Sequence, residues 1–222
     1  MPGYVFQFRL VFQEFPSLLE GAWTTIHLSL LTLLGSLLLG TVGAMGRQSR
    51  FHWIRRLATG YVEVIRNTPL LVQLFFIYFG LGQVNIDVPN YLAALIGLVV
   101  NNGAYLTEIV RAGIEAIPKS QHDASVSLGM SYLQRMRHVI FPQAFRVIYP
   151  PLCNQFIGII LFSSLVSVIA VEDLALRGKM LISRTFRSFE TYMVVTAMYV
   201  VMTMTISAAL KLAGRRLFRQ AV

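Results

Sequence analysis

Long apolar runs, separated by short polar breaks, organise this chain. Five of them reach the roughly 20 helical residues needed to cross a hydrocarbon layer: about 21–45, 58–82, 91–113, 147–170 and 191–213. Lipid offers no hydrogen-bond partners to the backbone, so each run is expected to be a helix, and the fold class is an all-α membrane protein with five spans. Ser36, Gly40 and Ala44 recur at four-residue spacing in the first run, a ribbon of small side chains that lets another helix approach closely. Thr68-Pro69 weakens the second, because proline removes one ladder bond and crowds the preceding turn. The resulting bend suits either a translocation path or packing alone.

One polar segment breaks the apolar pattern: Ser120 to Arg146, SQHDASVSLGMSYLQRMRHVIFPQAFR. After Pro118, Ser120 with Asp123 three residues on has the pattern of a capping box, and Gly129 suits a left-handed helix stop. Ser131 with Gln134 begins a second box. Leu133, Met136 and Ile140 then follow along one face, with Arg135, Arg137 and His138 on the more polar side. Pro142 is expected to end this second helix. Two short helices hinged at a glycine are thus predicted, either lying on lipid headgroups or docking a partner.

Composition agrees with a membrane protein. The 222 residues are 55% hydrophobic and 13% charged, with a mean hydropathy of +0.63. The single cysteine, Cys153, lies in an apolar stretch and rules out an intrachain disulfide. A net charge of +9 could suggest nucleic acid, but the basic residues sit at the ends of apolar runs, where headgroups and topology explain them, so no nucleic-acid partner is expected. Arg9, Glu14 and Glu20 near the start do not resemble a cleaved signal, and this part is read as belonging to the mature chain.

Arg47, Arg50, Arg55 and Arg56 follow the first run, whereas the GQVNIDVPN link has no Lys or Arg. The positive-inside rule then places the N-terminus outside, and both the Ser120–Arg146 segment and the C-terminal Lys211, Arg215, Arg216 and Arg219 in the cytoplasm. Arg177, Lys179, Arg184 and Arg187 oppose this assignment, because they fall in a link that should face outward.

Polar groups inside the spans are candidates for function, since burial in lipid is costly unless they are paired or hydrated. Glu63 and Arg66 share i, i+3 spacing, as do Glu108 and Arg111, and each pair can neutralise itself as a gate or structural ion pair. Asn101, Asn102 and Tyr105 fall within about one turn, and Gln155, Ser163, Ser164 and Ser167 recur at roughly helical spacing. The amides are the better pocket candidates, because serine hydroxyls often bond only to their own helix. Neither a nucleophile with a base, nor metal-ligand spacing, nor a GxxxxGK[ST] phosphate loop is present. Catalysis and ATP hydrolysis by this chain are therefore not expected.

The pattern Asp123-Ala124-Ser125, Gly129, Val139, Phe141, Pro142 resembles the EAA loop of permease subunits of bacterial ABC importers: E-A-A, three residues, G, nine residues, I-x-L-P. YVEVIRNTPLLVQLFFIYFGL at 61–81, GAYLTEIVRAGIEAIPKSQ at 103–121 and SSLVSVIAVEDL at 163–174 are similar to its polar amino acid uptake branch. This resemblance implies a type I importer permease fold over 1–222, with a cytoplasmic coupling loop at 114–145. It places Asp123, Ala124, Ser125, Gly129 and Pro142 at an ATPase contact, and Thr68, Gln73, Asn101, Asn102, Tyr105, Gln155, Ser163, Ser164 and Ser167 along a substrate path. It implies a pair of cytoplasmic ATPase subunits carrying ATP and Mg, an external amino acid binding protein and a second permease subunit, with no cofactor on this chain.

One departure concerns the pocket: Gln155 stands where Glu is common in that branch, and Leu161 and Phe162 where Lys and Asp are common. A charged pocket is thus not expected in this subunit: either the substrate is held mainly by its amino and carboxylate groups, or a related, non-identical permease subunit carries the charges, and the second alternative is favoured. The rival reading is a stand-alone channel or secondary carrier, for which inverted repeats or a deep carboxylate would be the signs.

Overall fold

The computed structural model describes residues 5–218, so Arg219 lies outside the described residues. Every regular element among them is helical: α1 (Phe8–Gln13), α2 (Phe15–Arg47), α3 (His52–Arg66), α4 (Leu70–Gln83), α5 (Asn90–Glu115), α6 (Lys119–Ser127), α7 (Tyr132–Arg135), a π-helical turn (Met136–Ile140), α8 (Phe141–Phe162), a 3-10 segment (Ser163–Ile169), α9 (Leu174–Thr185) and α10 (Ser188–Phe218). The fold class is all-α.

The chain forms two compact units, through both of which the long helices run. The first comprises residues 5–32, 70–98 and 157–209. Its core gathers Leu28, Leu74, Ala93, Leu98, Val166 and Ile169, apolar side chains that leave water or lipid for close packing. Ala170 adopts a left-handed conformation (φ 59°) that ends the 3-10 segment. Asp173 then caps α9, its carboxylate accepting from the Leu176 N–H at 2.9 Å. The Leu174 N–H donates to the Thr25 hydroxyl at 3.2 Å.

Basic residues of 177–187 also belong to this unit, and three of the four have local partners. Arg177 pairs with Glu172 at 2.7 Å and with Glu20 at 3.2 Å. Lys179 donates to the Ser167 hydroxyl at 3.1 Å, and Arg187 lies 3.7 Å from the buried Glu190.

The second unit comprises residues 33–69, 99–156 and 210–218. The small-residue ribbon does what its spacing suggests. A Cβ on Gly40 would lie 2.6 Å from the Leu106 Cβ and 2.9 Å from its carbonyl carbon, so only glycine permits this approach of α2 to α5. Ser36 donates to the Val99 carbonyl at 3.4 Å, and Ala44 is fully buried. Ala44, Val110, Ile140, Ala144 and Ile148 form the core of the unit. Tyr149 donates to the Leu210 carbonyl, and Tyr61 to the Val100 carbonyl, each at 2.7 Å.

Four helical runs are long and apolar enough to cross a membrane: Phe15–Arg47, Asn90–Glu115, Tyr132–Ile169 and Ser188–Phe218. The second expected span is a broken pair, α3 and α4, bent by 105°, which brings the number to five when the pair is taken as one span. Pro69 has no N–H for the Ile65 carbonyl. Thr68 compensates, its hydroxyl donating to the carbonyls of Val64 at 2.9 Å and Ile65 at 3.3 Å, while the Asn67 side chain donates to the Glu63 carbonyl at 2.7 Å. These bonds close α3 completely, so the anticipated kink is a helix end.

Two further expectations are corrected. Ser120 lies inside α6 and forms no box with Asp123, because Pro118 takes the N-cap position with no side-chain cap. Pro142 does not end a helix. The π-helical turn before it shifts the pairing, with the Phe141 N–H reaching the Met136 carbonyl, and the helix continues through Pro142 to Phe162. The wider turn relieves the clash between the proline ring and the preceding carbonyl.

Candidate functional site

The hinge of the polar segment is built as its residues predict. Gly129 has φ 71°, its N–H donates to the Val126 carbonyl at 2.9 Å, and the Met130 N–H donates to the Ser125 carbonyl at 3.1 Å. This paired arrangement is a Schellman stop. Ser131 and Gln134 then form a complete capping box: the Gln134 N–H donates to the Ser131 hydroxyl at 3.4 Å, and the Ser131 N–H to the Gln134 Oε1 at 2.9 Å. Asp123 and Ala124 are exposed, whereas Ser125 is buried and donates to the His122 carbonyl at 2.7 Å. Leu128 and Leu133 flank the glycine at 76% and 77% exposure. From Tyr132 onward the chain is helical as far as Ile169, by way of the π-helical turn, an α8 that contains Pro150 and Pro151, and the 3-10 segment.

An ion-pair cluster stands at the end of α5. Glu108 accepts hydrogen bonds from Arg47, the last residue of α2, and from Arg111 at 2.9 Å. Arg111 also reaches Glu115, the last residue of α5, at 2.5 Å. The Glu108–Arg111 pair was legible from spacing, but Arg47 lies 61 residues from Glu108 and no local pattern announces it. Glu108 also lines a cavity of about 260 Å3 with Ile109, Ala112, Gly113, Val147 and Pro151. The matching expectation for Glu63 and Arg66 fails. Among the described residues no ion pair joins them: Arg66 lies over the Tyr105 ring, 5.2 Å from its centroid, and the Glu63 carboxylate accepts from the Asn67 side chain at 3.3 Å. A stacked guanidinium keeps a favourable site without a carboxylate.

Of the candidate path residues, Asn102 and Gln155 are brought together, the Gln155 amide donating to the Asn102 Oδ1 at 2.7 Å from α8 to α5. Asn102 is 2% exposed, with Asn101 beside it at 7%. Buried amides offer both donor and acceptor atoms without charge, a neutral polar lining. Ser163 and Ser164 donate to the Ile160 and Leu161 carbonyls of their own turn, at 2.8 and 2.7 Å, the local role hydroxyls often take. Ser167 accepts from Lys179. Gln73 is half-buried on α4, and Thr68 serves the end of α3. The amide pair and Tyr105 belong to the second unit; Gln73 and the three serines belong to the first.

Outside the spans, Asp173 is fully buried. Burial pushes its carboxyl up to about 6, against the lowering effects of the Leu176 and Ala175 N–H groups, Lys179 and the Tyr199 hydroxyl. No group of three or more His, Cys, Asp or Glu able to hold a metal occurs among the described residues.

Comparison with known proteins agrees with this geometry. The chain is 35% identical over 208 residues to the probable glutamine ABC transporter permease protein GlnM of Bacillus subtilis (strain 168), covering 94% of this chain and 96% of the relative. It is also 35% identical over 214 residues to the glutamine transport system permease protein GlnP of Escherichia coli (strain K12), covering 96% and 98%. Among solved structures, a chain of an amino acid ABC transporter crystallised with histidines superposes with a TM-score of 0.90 at 40% identity, covering 96% of this chain and all of that one. A chain of the inward-facing MetNI methionine ABC transporter superposes with a TM-score of 0.77 at 18% identity and supports the fold alone. Residues 32–220 match the binding-protein-dependent transport system inner membrane component family, and the chain belongs to it.

Proposed function

We propose that this chain is one of two permease subunits of an ATP-driven importer for amino acids, receiving its cargo from a loaded external binding protein. In this reading a pair of cytoplasmic subunits binds and hydrolyses ATP with Mg, and this chain performs no bond chemistry. Its N-terminus lies outside and its C-terminus in the cytoplasm. The second permease subunit is a related, non-identical chain that supplies the charges this one lacks at Gln155, Leu161 and Phe162.

The observation that carries this reading is the exposed, glycine-hinged surface around Leu128 and Leu133, followed in the chain by a helical run long and apolar enough to cross a membrane. A partner docked on Asp123, Ala124 and Leu128 can move that helix mechanically. Alternating access then requires that nucleotide and the loaded binding protein favour one facing state over the other, since a ligand with equal affinity for both states shifts nothing. The neutral Asn102–Gln155 pair suits the zwitterionic part of an amino acid, whose ammonium and carboxylate match amide acceptors and donors.

The test is reconstitution in liposomes with the ATPase subunits, the second permease and the binding protein. Amino acid uptake should require ATP and the binding protein together. Uptake of equal rate without the ATPase subunits would instead indicate a stand-alone channel or carrier.

A further inference from the structure

α3 divides into three faces. Ile54, Ala58, Tyr61, Val62 and Ile65 share its inward side: Ala58 faces Gly46 of α2, Tyr61 bonds to the Val100 carbonyl, and Val62 is 1% exposed. Trp53, Leu57 and Val64 form a second apolar stripe at i, i+4 and i+11, yet they are 64%, 67% and 62% exposed. Gly60, at i+7 of the same stripe, faces open space, with nothing within 4 Å of a Cβ placed there. Arg56 lies beside this stripe, and Arg50 and Arg55 add positive charge at the same end of the helix; none of the three forms an ion pair among the described residues. Arg50 lies over the Phe51 ring at 4.8 Å, and Arg55 lies against His52 at 3.0 Å.

Alone, without α4, this helix is too short to serve as a span. Its 15 residues extend about 22 Å, and its first two turns carry two arginines and a histidine. It also cannot be an ordinary water-facing helix, because its outer stripe presents a tryptophan and two aliphatic side chains side by side. A helix with one apolar face left over, cationic at one end and bearing an interfacial aromatic, matches the boundary between acyl chains and headgroups.

We propose that α3, with Arg50, is a seat for anionic phospholipid. Trp53, Leu57 and Val64 enter the acyl boundary, while Arg50, Arg55 and Arg56 bind phosphate oxygens of acidic headgroups. Arginine suits this role because its planar donor fork meets two phosphate oxygens at once. The complementarity of charge favours a lipid over a second protein chain, for which three arginines without ion pairs at one end of an apolar stripe would need matching carboxylates. The inference concerns the bilayer and does not depend on which solute is carried.

The experiment uses the complete complex in vesicles, with a genetically encoded fluorescent amino acid in place of Gly60, so that only this chain is probed. Quenching is compared between brominated phosphatidylglycerol and brominated phosphatidylcholine at equal mole fraction. The acidic lipid is expected to quench about twofold more strongly, and the difference should vanish in the R50Q/R55Q/R56Q variant and at high salt in the unaltered arginine background. The salt arm keeps the test decisive if the triple variant does not assemble. Equal quenching by the two lipids would overturn the charge selection. Absence of quenching would mean that another subunit covers the stripe, and would overturn the proposal as a whole.

Discussion

At Gly129 the backbone is left-handed (φ 71°), and a side chain there would meet nothing within 4 Å. The position therefore demands glycine for conformation and not for space. Gly129→Ile places a β-branched residue in a region that costs ordinary residues about 1–2 kcal/mol and is worse for branched ones. The expected outcome is several-fold less amino acid moved per ATP hydrolysed, with Gly129→Asn close to unaltered, because asparagine tolerates this conformation. Measured transport-to-hydrolysis ratios decide the matter, and equal ratios in both variants would remove the hinge from the mechanism. At the amide pair, Gln155→Leu removes the hydrogen bond to the Asn102 Oδ1, a loss that typically costs about 0.5–1.5 kcal/mol. Uptake should fall at least tenfold while ATPase copurification stays unchanged; loss of copurification instead would count against a pocket role.

Asp173 supplies a pH test at the same scale. Its carboxyl ordinarily titrates near 3.8, and burial raises it to about 6 in the folded chain. The folded state therefore holds its proton more tightly, and stability declines as pH rises from about 4 to 6. Lys179 lies near enough to lower the carboxyl, and the Tyr199 hydroxyl 3.5 Å from its Oδ2, while Arg177 donates through its backbone N–H to the Asp173 carbonyl. Asp173→Asn keeps an N-cap and removes the titration. The variant should flatten this part of the Tm-against-pH curve, by on the order of 2–3 kcal/mol between its ends. An unchanged slope would assign it to other groups.

Among the elements, legibility followed the range of the interactions. The Ser131 box, the Gly129 stop and the Ser36–Gly40–Ala44 ribbon depend on residues within a turn or on close contact alone, and each stands where its spacing implied. The box at Ser120 was misplaced because Pro118, with its fixed backbone angle, starts α6 two residues earlier. Pro142 misled because the relief comes from a π-helical turn, a choice of pairing that no residue type declares. The break at Pro69 was read as a bend, since the number of carbonyls that Thr68 and Asn67 would satisfy is visible only in three dimensions. The ribbon yields its own prediction. Gly40→Val forces α2 away from the Leu106 backbone, an overpacking that typically costs about 1–3 kcal/mol. Purified protein in detergent should melt several degrees lower, whereas equal melting would mean that α2 and α5 do not rely on this approach.

For the molecule as a whole, the question is how movement at the polar segment reaches more than one helix. Tyr132 to Ile169 is continuous and supplies one route. The other side of the segment begins at α5, whose final residue, Glu115, lies four positions before Lys119 opens α6. Arg111 bonds both Glu115 and Glu108, and Glu108 in turn holds Arg47 at the end of α2. Of these three acid–base contacts, Arg47–Glu108 ties the end of α2 to α5, while the two that Arg111 makes lie within α5. Arg47 and Glu108 keep side-chain exposures of 19% and 20%, so their pair is partly shielded and its loss should cost on the order of 1–2 kcal/mol. Coupling through this tie predicts that Arg47→Glu, which sets two carboxylates against each other, lowers the solute moved per ATP several-fold while the ATPase subunits still copurify. Arg47→Lys, which preserves the charge, should retain most of the ratio. If Arg47→Glu transports with unaltered stoichiometry, α2 moves independently of α5, and force enters the membrane through the Tyr132–Ile169 helix alone.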